Sequence, residues 1–112
     1  MALAMIGVVL AMLGAPQTVP AVRQSQVDAG RKVYERAKCV TCHQIAKRGN
    51  SRYPLDGVAS RLSAADLRRW LTEPAAMEAA LPTMPAIRMS AMKYRLSAED
   101  VDALVAYLET LK

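Results

Sequence analysis

Phenylalanine is missing altogether, and one Trp and four Tyr make aromatics only 4% of the 112 residues. So few large rings give a thin core, which leaves room for something other than side chains to fill it. Histidine occurs once and cysteine twice. That excludes an all-protein zinc site of four thiolates, or of two thiolates and two imidazoles. It also excludes a disulfide-dense scaffold. Long disordered stretches are excluded by composition, since 53% of residues are apolar. The length holds one domain rather than two. No internal repeat and no low-complexity tract is present.

Charge is absent from the first 21 residues, and all 25 charged side chains follow Ala21. The run Met1–Ala15 is almost wholly apolar. It is shorter than the roughly 20 residues a membrane span needs and fits the apolar core of a secretory signal peptide. Val19-Pro20-Ala21 places small residues where cleavage after Ala21 is expected. Residues 1–21 are then a signal peptide, and residues 22–112 form the domain. No Lys or Arg precedes the run. The alternative is an uncleaved N-terminal anchor, with membrane association of the domain. Either way the domain is expected outside the cytoplasm.

Within it, charge is uneven. Residues 23–69 carry 11 positive and 4 negative side chains, whereas residues 70–112 carry 4 positive and 6 negative. The front half offers a basic surface and the back half a mildly acidic one.

Three segments read as helices, each opened by a Ser-x-x-Asp signal at Ser25, Ser63 and Ser97. The Ser hydroxyl can accept from an orphan first-turn N–H, and the Asp complements the helix dipole. The first helix is predicted over Gln26–Lys38, with Val27, Gly30, Val33, Tyr34 and Ala37 inward. The second is predicted over Ala64–Glu73, stopped by Pro74, with Leu67, Trp70 and Leu71 inward. The third is predicted over Ala98–Leu111, where Val101, Leu104, Val105, Leu108 and Leu111 follow the helical period. Leu62 and Leu96 precede their caps as hydrophobic staples. Gly30 inside a helix costs roughly 1 kcal/mol relative to Ala. A close crossing by the last helix near Leu104 or Tyr107 would explain it. No segment shows strand alternation, and Pro54, Pro74, Pro82 and Pro85 punctuate the loops.

Cys39-Val40-Thr41-Cys42-His43 is a C-x-x-C-H run, the pattern of c-type haem attachment. Two thiols at this spacing reach the two vinyl groups of one haem as thioethers, and the next residue places its imidazole under the iron. A thioredoxin-like redox pair needs a βαβ pattern that is not here, and half a zinc site needs ligands that do not exist. A buried haem c and its iron would also supply the missing apolar bulk. The sixth iron position decides between electron transfer and ligand binding. No second His is available. Of the four Met after Ala21 (Met77, Met84, Met89 and Met92), three lie in the nine residues 84–92. Met is often core filler, but a thioether from this Pro-containing loop can reach the iron.

These pieces have a shared look. Gly30, Tyr34, Cys39-x-x-Cys42-His43, Tyr53-Pro54-Leu55, Trp70-Leu71-x-x-Pro74, a Met-rich loop and the run from Leu96 to Leu108 occur in one order. From about Ser25 to Lys112 the chain resembles the small single-haem class I cytochromes c of bacteria. The resemblance implies an all-α cytochrome c fold, three main helices and loops around one covalently bound haem. It implies that Pro54, 11 residues after His43, offers its carbonyl to the other imidazole nitrogen. It implies a ligand Met about seven residues before the Leu that opens the last helix, which selects Met89. Met84, followed by Pro85, is the second choice, and Met92 the third. Trp70 and Tyr53 are candidates to cover the haem edge or bond a propionate. Arg52 and Arg61 are candidates to pair with propionates.

The expected function is that of a periplasmic one-electron carrier, not an enzyme, with His/Met-ligated iron. Arg36, Lys38, Lys47, Arg48 and Arg52 flank the attachment motif. They suggest redox partners with acidic docking faces, such as a dehydrogenase, an oxidase or another cytochrome. Nucleic acid is not an expected partner. Two alternatives remain open. One is a cytochrome subunit tethered to a dehydrogenase or oxidase complex. The other is a five-coordinate ligand binder or sensor, which requires that no Met reaches the iron.

Overall fold

The computed structural model describes residues 19–112, so the apolar run Met1–Ala15 lies outside the described residues. Helix α1 (Val19–Arg36) leads into a 3₁₀ turn (Cys39–Thr41). Three short strands follow: β1 (His43–Ile45), β2 (Arg48–Gly49) and β3 (Tyr53–Pro54). Then come α2 (Val58–Arg61), α3 (Ala64–Thr72), α4 (Pro74–Ala79), a second 3₁₀ turn (Met89–Ala91) and α5 (Ala98–Leu108).

The frame is the crossing of α1 and α5. Gly30 makes it possible: a Cβ there would collide with the carbonyl oxygen of Ala103 and lie 2.6 Å from the Cβ of Tyr107. Below the contact, Tyr34 and Tyr107 meet edge to face with ring centroids 5.9 Å apart. The Arg31 guanidinium sits 5.5 Å from the centroid of Tyr107. Arg36 and Asp100 close the other end at 2.7 Å. Leu104, the most buried apolar side chain at 1% exposure, lies in one cluster with Val27, Val33, Leu67 and Leu108. Burying a side chain of that size stabilises by about 1.5–3 kcal/mol.

The predicted capping signals have three different outcomes. Ser97 and Asp100 form a complete capping box on α5, with both reciprocal bonds at 3.0 Å. Ser63 accepts from the Asp66 N–H at 3.2 Å and caps α3. Ser25 caps nothing, because α1 already begins at Val19 and runs through it. At the other end α1 stops at Arg36, two residues short of the prediction, and Lys38 takes a left-handed conformation (φ 61°) that turns the chain into Cys39. Helix α5 ends at Leu108, three residues early, and Leu111 continues as half-buried cover.

Pro74 ends α3 as predicted and then opens α4, a short helix absent from the sequence reading. Helix α2 and the sheet were also not expected. The sheet has the order β2-β1-β3, antiparallel on one side and parallel on the other. Ala46 and Lys47, both at positive φ, make the two-residue turn between Ile45 and Arg48. None of this changes the architecture, which is mostly helical. Among the described residues no helix is long and apolar enough to cross a membrane.

Candidate functional site

One apolar cavity of about 490 Å³ lies between the α1–α5 frame, the sheet, α3 and the loop before α5. Two stretches of chain contribute its chemistry. Cys39, Cys42 and His43 line it from the 3₁₀ turn and β1, and Met89 and Met92 line it from the second 3₁₀ turn. Trp70 and Leu71 of α3, and Leu104 and Leu108 of α5, contribute apolar surface.

Backbone pairing sets the His43 segment. Strands β1 and β3 run parallel with His43 opposite Tyr53. That register brings the carbonyl of Tyr53 to 2.9 Å from Nδ1 of His43. The expected partner was Pro54, which lies one residue further on, opposite Gln44, and does not line the cavity. The parallel ladder decides this, because it pairs His43 with the residue before the proline. With Nδ1–H donating to a carbonyl, Nε2 keeps its lone pair for a metal. Burial pushes the imidazole pKa down, against the opposing effect of the Tyr53 carbonyl, which favours the neutral ring that a metal requires.

The two thiols are free. Burial pushes the Cys39 thiol up to about 11. A thiol so protonated at neutral pH is unlike the low-pKa thiolate of a C-x-x-C redox enzyme. Among the described residues no group of three or more His, Cys, Asp and Glu is placed to hold a metal.

Side chains set the Met89 segment. Glu78 of α4 is 1% exposed, the one buried charged residue of the described chain. Its Oε1 accepts from the Ser90 N–H at 2.8 Å. Its Oε2 accepts from the Ser90 hydroxyl at 2.7 Å and from Nε of Arg88 at 3.1 Å. The Ser90 N–H, more than the Ser90 hydroxyl and Arg88, holds the carboxyl below its usual pKa despite burial. The Tyr53 hydroxyl accepts from the Ile87 N–H at 3.1 Å. The Tyr94 hydroxyl donates to the Leu71 carbonyl at 3.3 Å. Met89 therefore sits between anchored neighbours and is half-buried. Met92 lines the cavity yet is 45% exposed, and Met84 is 50% exposed and does not line it. Arg52 and Arg61 are exposed and also stand outside the lining.

The cavity itself bears on what could fill it. Tyr34 lines it, and its buried hydroxyl has no hydrogen-bond partner among the described residues. Burial raises that hydroxyl to about 12. The surroundings suit a large, flat, mainly apolar group, and two thiols and one neutral imidazole suit attachment and ligation of a haem.

The family model for Cytochrome c matches residues 27–112. The chain belongs to the cytochrome c family. This is a monohaem cytochrome c, whose cofactor is covalent haem c with its iron and whose family role is typically electron carriage. No curated protein and no solved structure matches the chain. The matched region of this cytochrome c begins in the middle of α1 and takes in both segments of the cavity.

Sequence reasoning missed Glu78 and the double use of Tyr53. A signal existed for the first: Glu78 is the only charged residue in the 14 from Pro74 to Ile87. A lone charge in an apolar stretch next to candidate ligands asks for a partner. No signal announces which carbonyl a tyrosine's own backbone will offer.

Proposed function

We propose that this cytochrome c is an extracytoplasmic one-electron carrier with His43 and Met89 as axial ligands. The observation that carries the reading is a single cavity lined by Cys39, Cys42, His43 and Met89 but not by Met84. Cys39 and Cys42 form the thioethers. His43 presents Nε2, fixed by its bond to the Tyr53 carbonyl. Met89 presents its thioether from an anchored turn. Trp70 and Leu71 add apolar surface to the lining. Haem iron ligated on both sides supplies a one-electron couple with a raised potential. With the same two ligands in both redox states, little reorganisation accompanies the electron.

Lys38 and Lys93 line the cavity, and exposed Leu81 and Met92 lie with them. Together with Lys47, Arg48 and Arg52, all exposed, they suit a partner with an acidic face and an apolar centre. A dehydrogenase, an oxidase or a further cytochrome would provide one. Electron transfer to such a partner slows as ionic strength rises, and a rate indifferent to salt would remove the steering role of these cations.

The test is an optical spectrum of the holoprotein. The ferric form should show low-spin bands and the weak far-red sulfur-to-iron band. Met89→Ala should abolish that band, and Met84→Ala should leave it intact. A high-spin wild-type spectrum would transfer the protein to the ligand-binding class. One observation favours a tethered form: α1 runs unbroken through Ala21, and residues 20–26 are exposed. The mass of the protein exported from its own host distinguishes an intact N-terminus from cleavage after Ala21.

A further inference from the structure

We propose that Glu78 is a positioning residue for the axial methionine, selecting Met89 over its neighbour Met92. The proposal rests on Met89 ligation. All three bonds that Glu78 accepts come from Arg88 and Ser90, the residues on either side of Met89. The segment has little else of its own: within the 3₁₀ turn only Ala91 N–H to Arg88 and Met92 N–H to Met89 are made between backbone groups. Glu78 comes from a different element, α4, which is only six residues long. A carboxylate buried to 1% is costly unless its lone pairs are used. Here they are used on the ligand turn and on nothing else. Met92 lies three residues on, lines the same cavity and has its own sulfur. Without the clamp the turn can rotate and offer either sulfur, or neither.

The clamp is one-sided by design of the chemistry. Ser90 gives both its N–H and its hydroxyl, so the backbone next to Met89 is fixed in position and in direction. Arg88, half-exposed, neutralises the carboxylate from the solvent side. A ligand loop held this way excludes outside ligands because the bound conformation is nearly the only one populated. The apparent affinity of a competitor is reduced in proportion to how rarely the loop opens.

The experiment compares holoprotein variants with Met92 present and in a Met92→Leu background. A far-red band that survives Glu78→Ala only while Met92 is present marks a switch of sulfur, and the Met92→Leu series reads the hold on Met89 alone. Imidazole binding to the ferric protein, the far-red band and hydrogen exchange at the Ser90 amide are read, with far-UV circular dichroism as a check on folding. Glu78→Ala should weaken the far-red band, raise the apparent imidazole affinity by about tenfold or more, and speed exchange at Ser90. Glu78→Gln, which keeps an acceptor for the Ser90 N–H, should show a smaller rise. Ser90→Ala, which loses only the hydroxyl, should show the smallest. If Glu78→Ala fails to fold, the ordering of the other two against the parent still decides. An unchanged band, unchanged imidazole affinity and unchanged Ser90 exchange in folded variants would overturn the positioning role alone. A parent protein with no far-red band would instead overturn Met89 ligation itself, and the selection of a sulfur by Glu78 with it.

Discussion

The two segments that supply the cavity's chemistry are built on different principles. Around His43 the chain is held mainly by its own backbone: a parallel pair, an antiparallel pair, and the Asn50 and Leu55 amides bonded to His43 and Gln44, with the Asp56 and Asn50 side chains adding bonds to the Ala46 N–H and the Thr41 carbonyl. Even the bond that orients the imidazole goes to a main-chain carbonyl. Around Met89 the anchors are side chains: Glu78 and Tyr53 reach in from elsewhere, and Tyr94 of the segment itself reaches out to the Leu71 carbonyl. The difference teaches where each is vulnerable. Backbone-built structure yields to changes in backbone geometry and is indifferent to most side chains. Side-chain-built structure can be loosened one bond at a time while the fold stands.

The largest effect should come from breaking the His43 segment through its backbone. Gly49 is at φ +104°, and a Cβ there would collide with the His43 carbonyl and lie 2.8 Å from the Val40 side chain. Gly49→Ala should destabilise the holoprotein by about 3 kcal/mol, combining positive-φ strain with overpacking. Urea unfolding measures it. A loss below about 1 kcal/mol would mean that the hairpin can shift without cost, and that the contrast between the segments is overstated.

Tyr53 offers a smaller and sharper cut, because it serves both segments with different parts of itself. Its carbonyl receives the His43 imidazole, and its hydroxyl receives the Ile87 N–H. Tyr53→Phe removes only the second. It should cost about 1 kcal/mol, the price of one half-buried donor left without its acceptor. The far-red band should weaken on heating before the helix signal does. The imidazole ring resonances of His43 in the reduced protein should stay where they are. Shifts in both sets would show that the two segments are not independently held.

Much of this was legible in the sequence, but unevenly. The α1–α5 frame could be read because long periodic faces, Gly30 and the Ser97–Asp100 box all agree. Helix α1 was cut short because Ser25 looks like a cap, although an exposed Ser mid-helix costs little. The sheet could not be read. Its strands are two or three residues long, and its hairpin turns on Ala46-Lys47 rather than the Asn-Gly or Asp-Gly pair that announces such a turn. Without the sheet, the bond from His43 to Tyr53 rather than Pro54 was out of reach, since a one-residue register step decides it. The spacing that selected Met89 and the dipeptide that suggested Met84-Pro85 disagreed. In the structure Met84 stands half-exposed outside the cavity while Met89 lines it.

The smallest expected effect lies in the frame that both segments share. Asp100 is bonded to Arg36 across the α1–α5 junction and to the Ser97 N–H within its capping box. The Arg36 bond, and then the Ser97 N–H, hold its carboxyl below the ordinary aspartate value of 3.8. A carboxyl depressed in the folded state contributes stability that is fully present above the unfolded value. That contribution is lost as pH falls through the folded one. Stability should therefore decline on acidification below about pH 4, and Asp100→Asn should flatten that part of the profile at a cost at pH 7 of the same small size as the decline it removes. Urea midpoints followed by far-UV circular dichroism give both curves. Because the junction carries both segments, the variant's band and helix signals should be lost together at neutral pH. A far-red band lost well ahead of the helices in Asp100→Asn would place the acidic end of α5 inside the Met89 segment's own support, and the boundary between the two kinds of construction would have to be redrawn.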